Sequence, residues 1–187
     1  MTIPDEEFLR GDVPMTKQEI RILTLAKAQI KSGDIVIDIG AGTGSLSIEA
    51  AMTARQVFAI ERNAEAVKLI EKNVEKFGVD NIIIINAEAP NGIEAINKID
   101  VAIIGGSGGN LTKIIDAIDR HLKKGGRIVI NCITIQTLSE ALAYFKNHNN
   151  YKYEMIQVQI NRFNQVGQYD MVKALNPIYI ITAMNER

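Results

Sequence analysis

The run Asp38-Ile-Gly40-Ala-Gly42-Thr-Gly44 sets one carboxylate at the mouth of a glycine loop. Glycines let the backbone turn sharply there and let a ligand come close. A carboxylate at that point repels a pyrophosphate and suits a ligand with a cationic amino-acid end. A dinucleotide loop would instead read G-x-G-x-x-G. Glu61 closes an apolar run roughly twenty residues further on, where an acid accepts hydrogen bonds from both hydroxyls of a ribose. A second glycine run, Gly105-Gly106-Ser107-Gly108-Gly109, offers bare backbone that a ligand can approach closely.

Chemistry of this kind needs strands that end together. Ile35–Ile39 reads as a buried parallel strand, with its helix from about Thr43 to Thr53. Gln56–Ile60 is the second strand, followed by a helix through Phe77 that Gly78 stops. Asn81–Ile85, Asp100–Ile104 and Arg127–Cys132 are the third to fifth strands. Helices are expected from Asn110 to Leu122, closing at Lys123–Gly126, and near Leu138–Lys146. Upstream, Thr16 and Glu19 form a T-x-x-E capping box for a helix running to about Lys31. After Tyr151 the alternation stops, and Tyr153–Arg162 and Pro177–Met184 read as strands with a polar, glycine-bearing link. The expectation is an α/β, doubly wound, Rossmann-like sheet of seven mostly parallel strands, with helices on both faces and an antiparallel last strand. One domain is expected over 1–187, in which 1–31 contributes to the site and 151–187 forms a C-terminal β-hairpin.

Strand, D-x-G-x-G-x-G loop and helix together resemble the first motif of class I S-adenosylmethionine-dependent methyltransferases. Three further stretches narrow the likeness: Ile3–Phe8 with Pro14–Lys17, Ile104–Gly109, and Val129–Thr134. With Asp38–Gly44 they resemble the decarboxylating precorrin methyltransferases of cobalamin synthesis. Within that family the likeness is to the cobalt-precorrin-6B type, which methylates ring carbon 15 and removes carbon dioxide from the carbon-12 acetate. The resemblance implies S-adenosyl-L-methionine at Thr16, Asp38, Gly40, Ala41, Gly42, Thr43, Gly44, Glu61 and Ala89. Asp38 would lie near the ammonium group and Ala89 at the adenine edge. It implies a tetrapyrrole substrate near Gly105–Gly109 and Lys17, no metal, and a homo-oligomer, typically a tetramer.

A precorrin carries many carboxylates, so cations near the site matter. Lys17, Arg21, Lys113, Arg162 and Lys173 are the candidates, while Glu88 reads equally as a solvated loop acid. His121 and His148 are poorly placed, so no catalytic histidine is expected, and Cys132 reads as a small apolar filler. The 187 residues carry 21 basic and 22 acidic side chains, a balance that disfavours nucleic acid. The lone cysteine and the absence of a long apolar run point to a cytoplasmic protein that meets no membrane. A methyltransferase of the tRNA-adenine or isoaspartyl type is the alternative, though Gly-Gly-Ser-Gly-Gly stands where amine methylation of nucleic acid uses a polar-Pro-Pro-aromatic motif.

Overall fold

A computed structural model describes residues 2–187. Its strands are β1 (Ile35–Ile39), β2 (Gln56–Glu61), β3 (Ile82–Asn86), β4 (Ile99–Ile104), β5 (Leu122–Cys132), β6 (Tyr151–Val158), β7 (Asn161–Val166), β8 (Tyr169–Ala174) and β9 (Ile178–Asn185). Five helices are interleaved with them: α1 (Gln18–Ala28), α2 (Ser45–Ala51), α3 (Ala64–Phe77), α4 (Leu111–Asp119) and α5 (Ile135–Asn147). Seven strands join one sheet in the order β3-β2-β1-β4-β5-β9-β6, with β9 antiparallel to both neighbours. The expected seven-stranded, mostly parallel sheet is therefore present.

Residue alternation assigns the two faces. Ile37, Ile39, Ile104, Ile128 and Ile130 pack with Leu111 and Ile114 of α4 and Ala141 and Phe145 of α5. Val36, Val101, Ile103 and Val129 pack with Ile20 and Ala28 of α1 and Leu46 and Ala50 of α2. Both faces are covered, so the central strands read as nearly unbroken apolar runs. Strand order reverses between β2 and β4, on either side of β1, and ligands of such sheets lie outside that switch point.

Several local expectations need correction. The Thr16–Glu19 capping box does not form: Lys17 is the N-cap, without a side-chain cap bond. The Thr16 carbonyl instead accepts from Arg21 Nη1 at 2.7 Å, and Glu19 accepts from Arg162 at 2.7 Å. α1 stops at Ala28, where Gln29 turns left-handed at φ 47°. α4 ends at Asp119, and Lys123–Gly126 belong to β5 as an irregularity beside β4. The link between the last two sheet strands is itself a two-stranded ribbon, β7 with β8.

Arg21 is the largest departure. Offered by sequence as a candidate cation for substrate carboxylates, it is fully buried. Its Nε donates to Glu49 at 3.0 Å, Nη1 to Asp5 at 2.6 Å and Nη2 to the Ile3 carbonyl at 2.5 Å. Glu49 also accepts from the Ile3 amide at 3.0 Å. One guanidinium thus pins the N-terminal segment to α1 and α2. Asn73 of α3 holds the middle of that segment, accepting from Leu9 N and donating to Leu9 O, each at 2.8 Å.

Candidate functional site

The N-terminal segment, so pinned, roofs a cleft of about 500 Å³ at the carboxyl ends of β1, β2 and β4. That volume lies within the range of small-molecule sites. Its floor is the loop after β1. Gly40 has φ +70°, and a Cβ there would stand 2.7 Å from the Gly106 carbonyl oxygen. Gly42 has φ +58°, and a Cβ would stand 2.9 Å from the Pro14 carbonyl oxygen. Side chains at these positions would push apart the β4 loop on one side and the N-terminal segment on the other. The glycines are where three walls meet.

Glu61 closes the far end. Its Oε2 accepts from Gly42 N at 2.9 Å and its Oε1 from Asn63 N at 2.8 Å. Each carboxylate oxygen keeps a lone pair for a further donor. Across the mouth, Arg62 Nη1 donates to Glu88 Oε1 at 3.1 Å, both side chains largely exposed. Ala89 and Ala87 line the same end.

Thr16, Lys17, Gly40, Ala41, Gly42, Glu61, Ala89 and Gly105 through Gly108 all line this cleft. Asp38, Thr43 and Gly44 do not. Asp38 is 1% exposed beneath the loop, its Oδ2 accepting from Ser47 Oγ at 2.6 Å and its Oδ1 without a partner. Burial pushes its carboxyl up to about 6, with the Glu61 charge adding to this and the Ser47 bond opposing it. Strand alternation explains the position: Ile37 and Ile39 face α4 and α5, so Asp38 faces α2, where Ser47 waits. Thr43 is buried as well, and Gly109 lines a smaller neighbouring cavity.

Among the other cations, Arg162 and Lys173 are cross-strand partners on the β7–β8 ribbon, Lys113 lies on α4, and none of these three lines the cleft. His121 and His148 do not line it either, His148 stacking on Tyr144 at 4.0 Å. Cys132 is buried in the core, where burial pushes its thiol up to about 11, as a filler requires. Sequence reasoning passed over Arg62, Asn63 and Asn131 as site residues, yet Arg62 and Asn63 follow β2 and Asn131 lies next to the carboxyl end of β5. Reading every strand's carboxyl end would have found them.

A family model described as "Precorrin methyltransferase domain" matches residues 7–185. The chain is 41% identical over 185 residues to the Salmonella typhimurium protein named cobalt-precorrin-6B C(15)-methyltransferase (decarboxylating), covering 97% of this chain and 95% of that protein. A crystal structure titled precorrin-6y C5,15-methyltransferase, from Geobacter metallireducens, superposes with a TM-score of 0.92 at 39% identity, covering 99% and 98% of the two chains. One titled precorrin 8w decarboxylase, from Methanobacterium thermoautotrophicum, gives 0.92 at 34% identity over 97% and 98%.

Proposed function

The chain belongs to the precorrin methyltransferase family, and from that premise we propose that it converts cobalt-precorrin-6B to cobalt-precorrin-7 in cobalamin biosynthesis. The reaction moves a methyl group from S-adenosyl-L-methionine to ring carbon 15 and expels the carbon-12 acetate carboxylate as carbon dioxide. The observation carrying this reading is the convergence of Gly40–Gly42, Glu61, Ala89 and Gly105–Gly108 on one cleft under the N-terminal segment. The cofactor, when bound, supplies a methyl group already activated by its sulfonium. The protein's task is then alignment and exclusion of water.

Residue roles follow from position. Gly40, Ala41 and Gly42 underlie the methionine end, and Glu61 accepts from the ribose hydroxyls. Ala89 leaves room for adenine, with Thr16 on the roof. The orphan Oδ1 of Asp38 beneath the loop fits a cationic group above it, acting through the loop rather than in contact. Lys17, whose Nζ stands 3.7 Å from Asp5, is a cation on the cleft wall for a substrate carboxylate. Gly105–Gly108 lie against the flat face of the macrocycle. The whole chain acts as one domain, in the cytoplasm.

The same reading makes the enzyme a homo-oligomer, a tetramer. Every residue of β7 and β8 is exposed, and Phe163 and Tyr169 are 71% and 67% exposed. A lone two-stranded ribbon is marginal in water, so another copy covering it is the economical arrangement. Sedimentation as a monomer would refute this.

The central test is incubation with cobalt-precorrin-6B and S-adenosylmethionine, read by mass spectrometry. Gain of one methyl with loss of carbon dioxide is expected. Methyl gain without that loss would remove the decarboxylase half. Glu61→Ala is expected to weaken cofactor binding about tenfold, roughly 1–2 kcal/mol, through loss of the ribose acceptor and of the Gly42 tether. Unchanged affinity in a calorimetric titration would exclude Glu61 from the site.

A further inference from the structure

A second cavity of about 200 Å³ adjoins the cleft, and its walls include Gly105–Gly109, Asn131 and the start of α5. It shares Gly105–Gly108, Asn131 and Ile133 with the cleft, so the two meet along one edge. Its volume is several times the ~30 Å³ share of one water, room for a carboxymethyl arm but not for a macrocycle.

Its chemistry differs from that of the cleft. The cleft has Lys17, Glu61, Arg62 and Glu88 on its walls, whereas among the described residues no ionisable side chain lines the second cavity. Ile104, Ile130 and Ile133 supply apolar surface, and Thr134 and Thr137 supply hydroxyls at the first turn of the thirteen-residue α5. Thr134 caps that helix, its Oγ1 accepting from Thr137 N at 3.2 Å and lying 2.9 Å from Thr137 Oγ1. Asn131 stands on the shared edge and is 7% exposed. Its Oδ1 accepts from Thr24 Oγ1 at 3.0 Å, which leaves Nδ2 as a buried donor with no partner. The orphaned amide donor on the shared edge and the hydroxyls at the start of α5 together offer an anion neutral donors.

We propose that this cavity receives the acetate arm of the substrate and is where its carboxylate leaves as carbon dioxide; the proposal rests on the decarboxylating reading above. A carboxylate that must persist is best met by a cation, whose attraction would oppose its loss. One that must leave is better held by neutral donors alone, because no strong attraction then opposes its loss. In the step, the bond between the methylene carbon and the carboxylate carbon breaks, and carbon dioxide departs among the isoleucines. The electron pair stays on the methylene carbon and spreads into the conjugated ring. A proton from water then completes the methyl group, so no oxidant or reductant is needed.

Thr137→Asp tests this. An acid in the first helical turn suits the helix but repels a carboxylate. With cobalt-precorrin-6B and S-adenosylmethionine, the ratio of methylated, carboxylate-retaining product to decarboxylated product is expected to rise at least tenfold. Asn131→Asp is expected to move it the same way, and Thr137→Ser to restore the wild-type ratio. A ratio unchanged in Thr137→Asp, with wild type decarboxylating normally, would overturn the assignment, as would equal loss of both activities. Wild type that neither methylates nor decarboxylates this substrate would instead refute the function on which the proposal rests.

Discussion

Arg21→Leu is expected to destabilise the protein by roughly 3–5 kcal/mol, the range for leaving a buried charge without its counter-ion. The side chain is completely enclosed, and Glu49 beside it is 3% exposed. Removing the guanidinium strands the Glu49 carboxylate and leaves the Ile3 and Thr16 carbonyls without their donor. The Asp5 carboxylate, partly exposed, recovers some hydration. In a thermal melt this corresponds to a midpoint lower by roughly 6–20 °C for a chain of this size. Adding Glu49→Leu should recover part of the loss, because the stranded charge goes with it. A single-variant loss below about 1 kcal/mol by denaturant titration would show that the network adds little beyond packing.

Asp38→Asn should act in the opposite direction. The wild-type carboxyl is raised from 3.8 to about 6, chiefly by burial. A raised value means that the fold prefers the protonated form. That preference is fully satisfied below about pH 4 and is lost as the pH climbs through 6. The cost at pH 7–8 is about 3 kcal/mol, taking about 1.4 kcal/mol per pH unit. An asparagine keeps an acceptor for Ser47 and carries no charge. The variant should therefore gain up to about 3 kcal/mol at pH 8 and nothing at pH 4. Its affinity for S-adenosylmethionine should be weaker at pH 8 and flat with pH, whereas wild-type affinity should rise between pH 5 and 7. Equal stability of the two proteins at pH 8 would mean that Asp38 ionises there without penalty.

Much of the scaffold was legible because its signals are local. β1 has the bounds that its apolar run predicts, and Gly78 ends α3 in the left-handed region, as expected. The cleft glycines and Glu61 were legible for a similar reason, since a strand end and a loop spacing fix them. Arg21 was not. Its burial depends on Asp5 and Glu49, which come from separate elements and meet only in three dimensions. The β7–β8 ribbon escaped because its polar and apolar residues are exposed alike, and no burial pattern marks it as strand. Asp38 shows a third kind of difference: its type and spacing set it at the mouth of the loop, but the strand pleat places it beneath the loop, off the cleft lining.

Asn73 adds one more consequence. Besides clamping Leu9, its Nδ2 donates to the Thr43 carbonyl at 3.0 Å, so one amide on α3 grips both the roof and the floor of the cleft. Roof and floor then share their freedom of motion. A ligand that stills the glycine loop should therefore also slow exchange of the Leu9 amide proton with solvent, although Leu9 does not line the cleft. If exchange slows in both walls together, their ordering entropy is lost in one event, and the second substrate to bind should meet less of that cost.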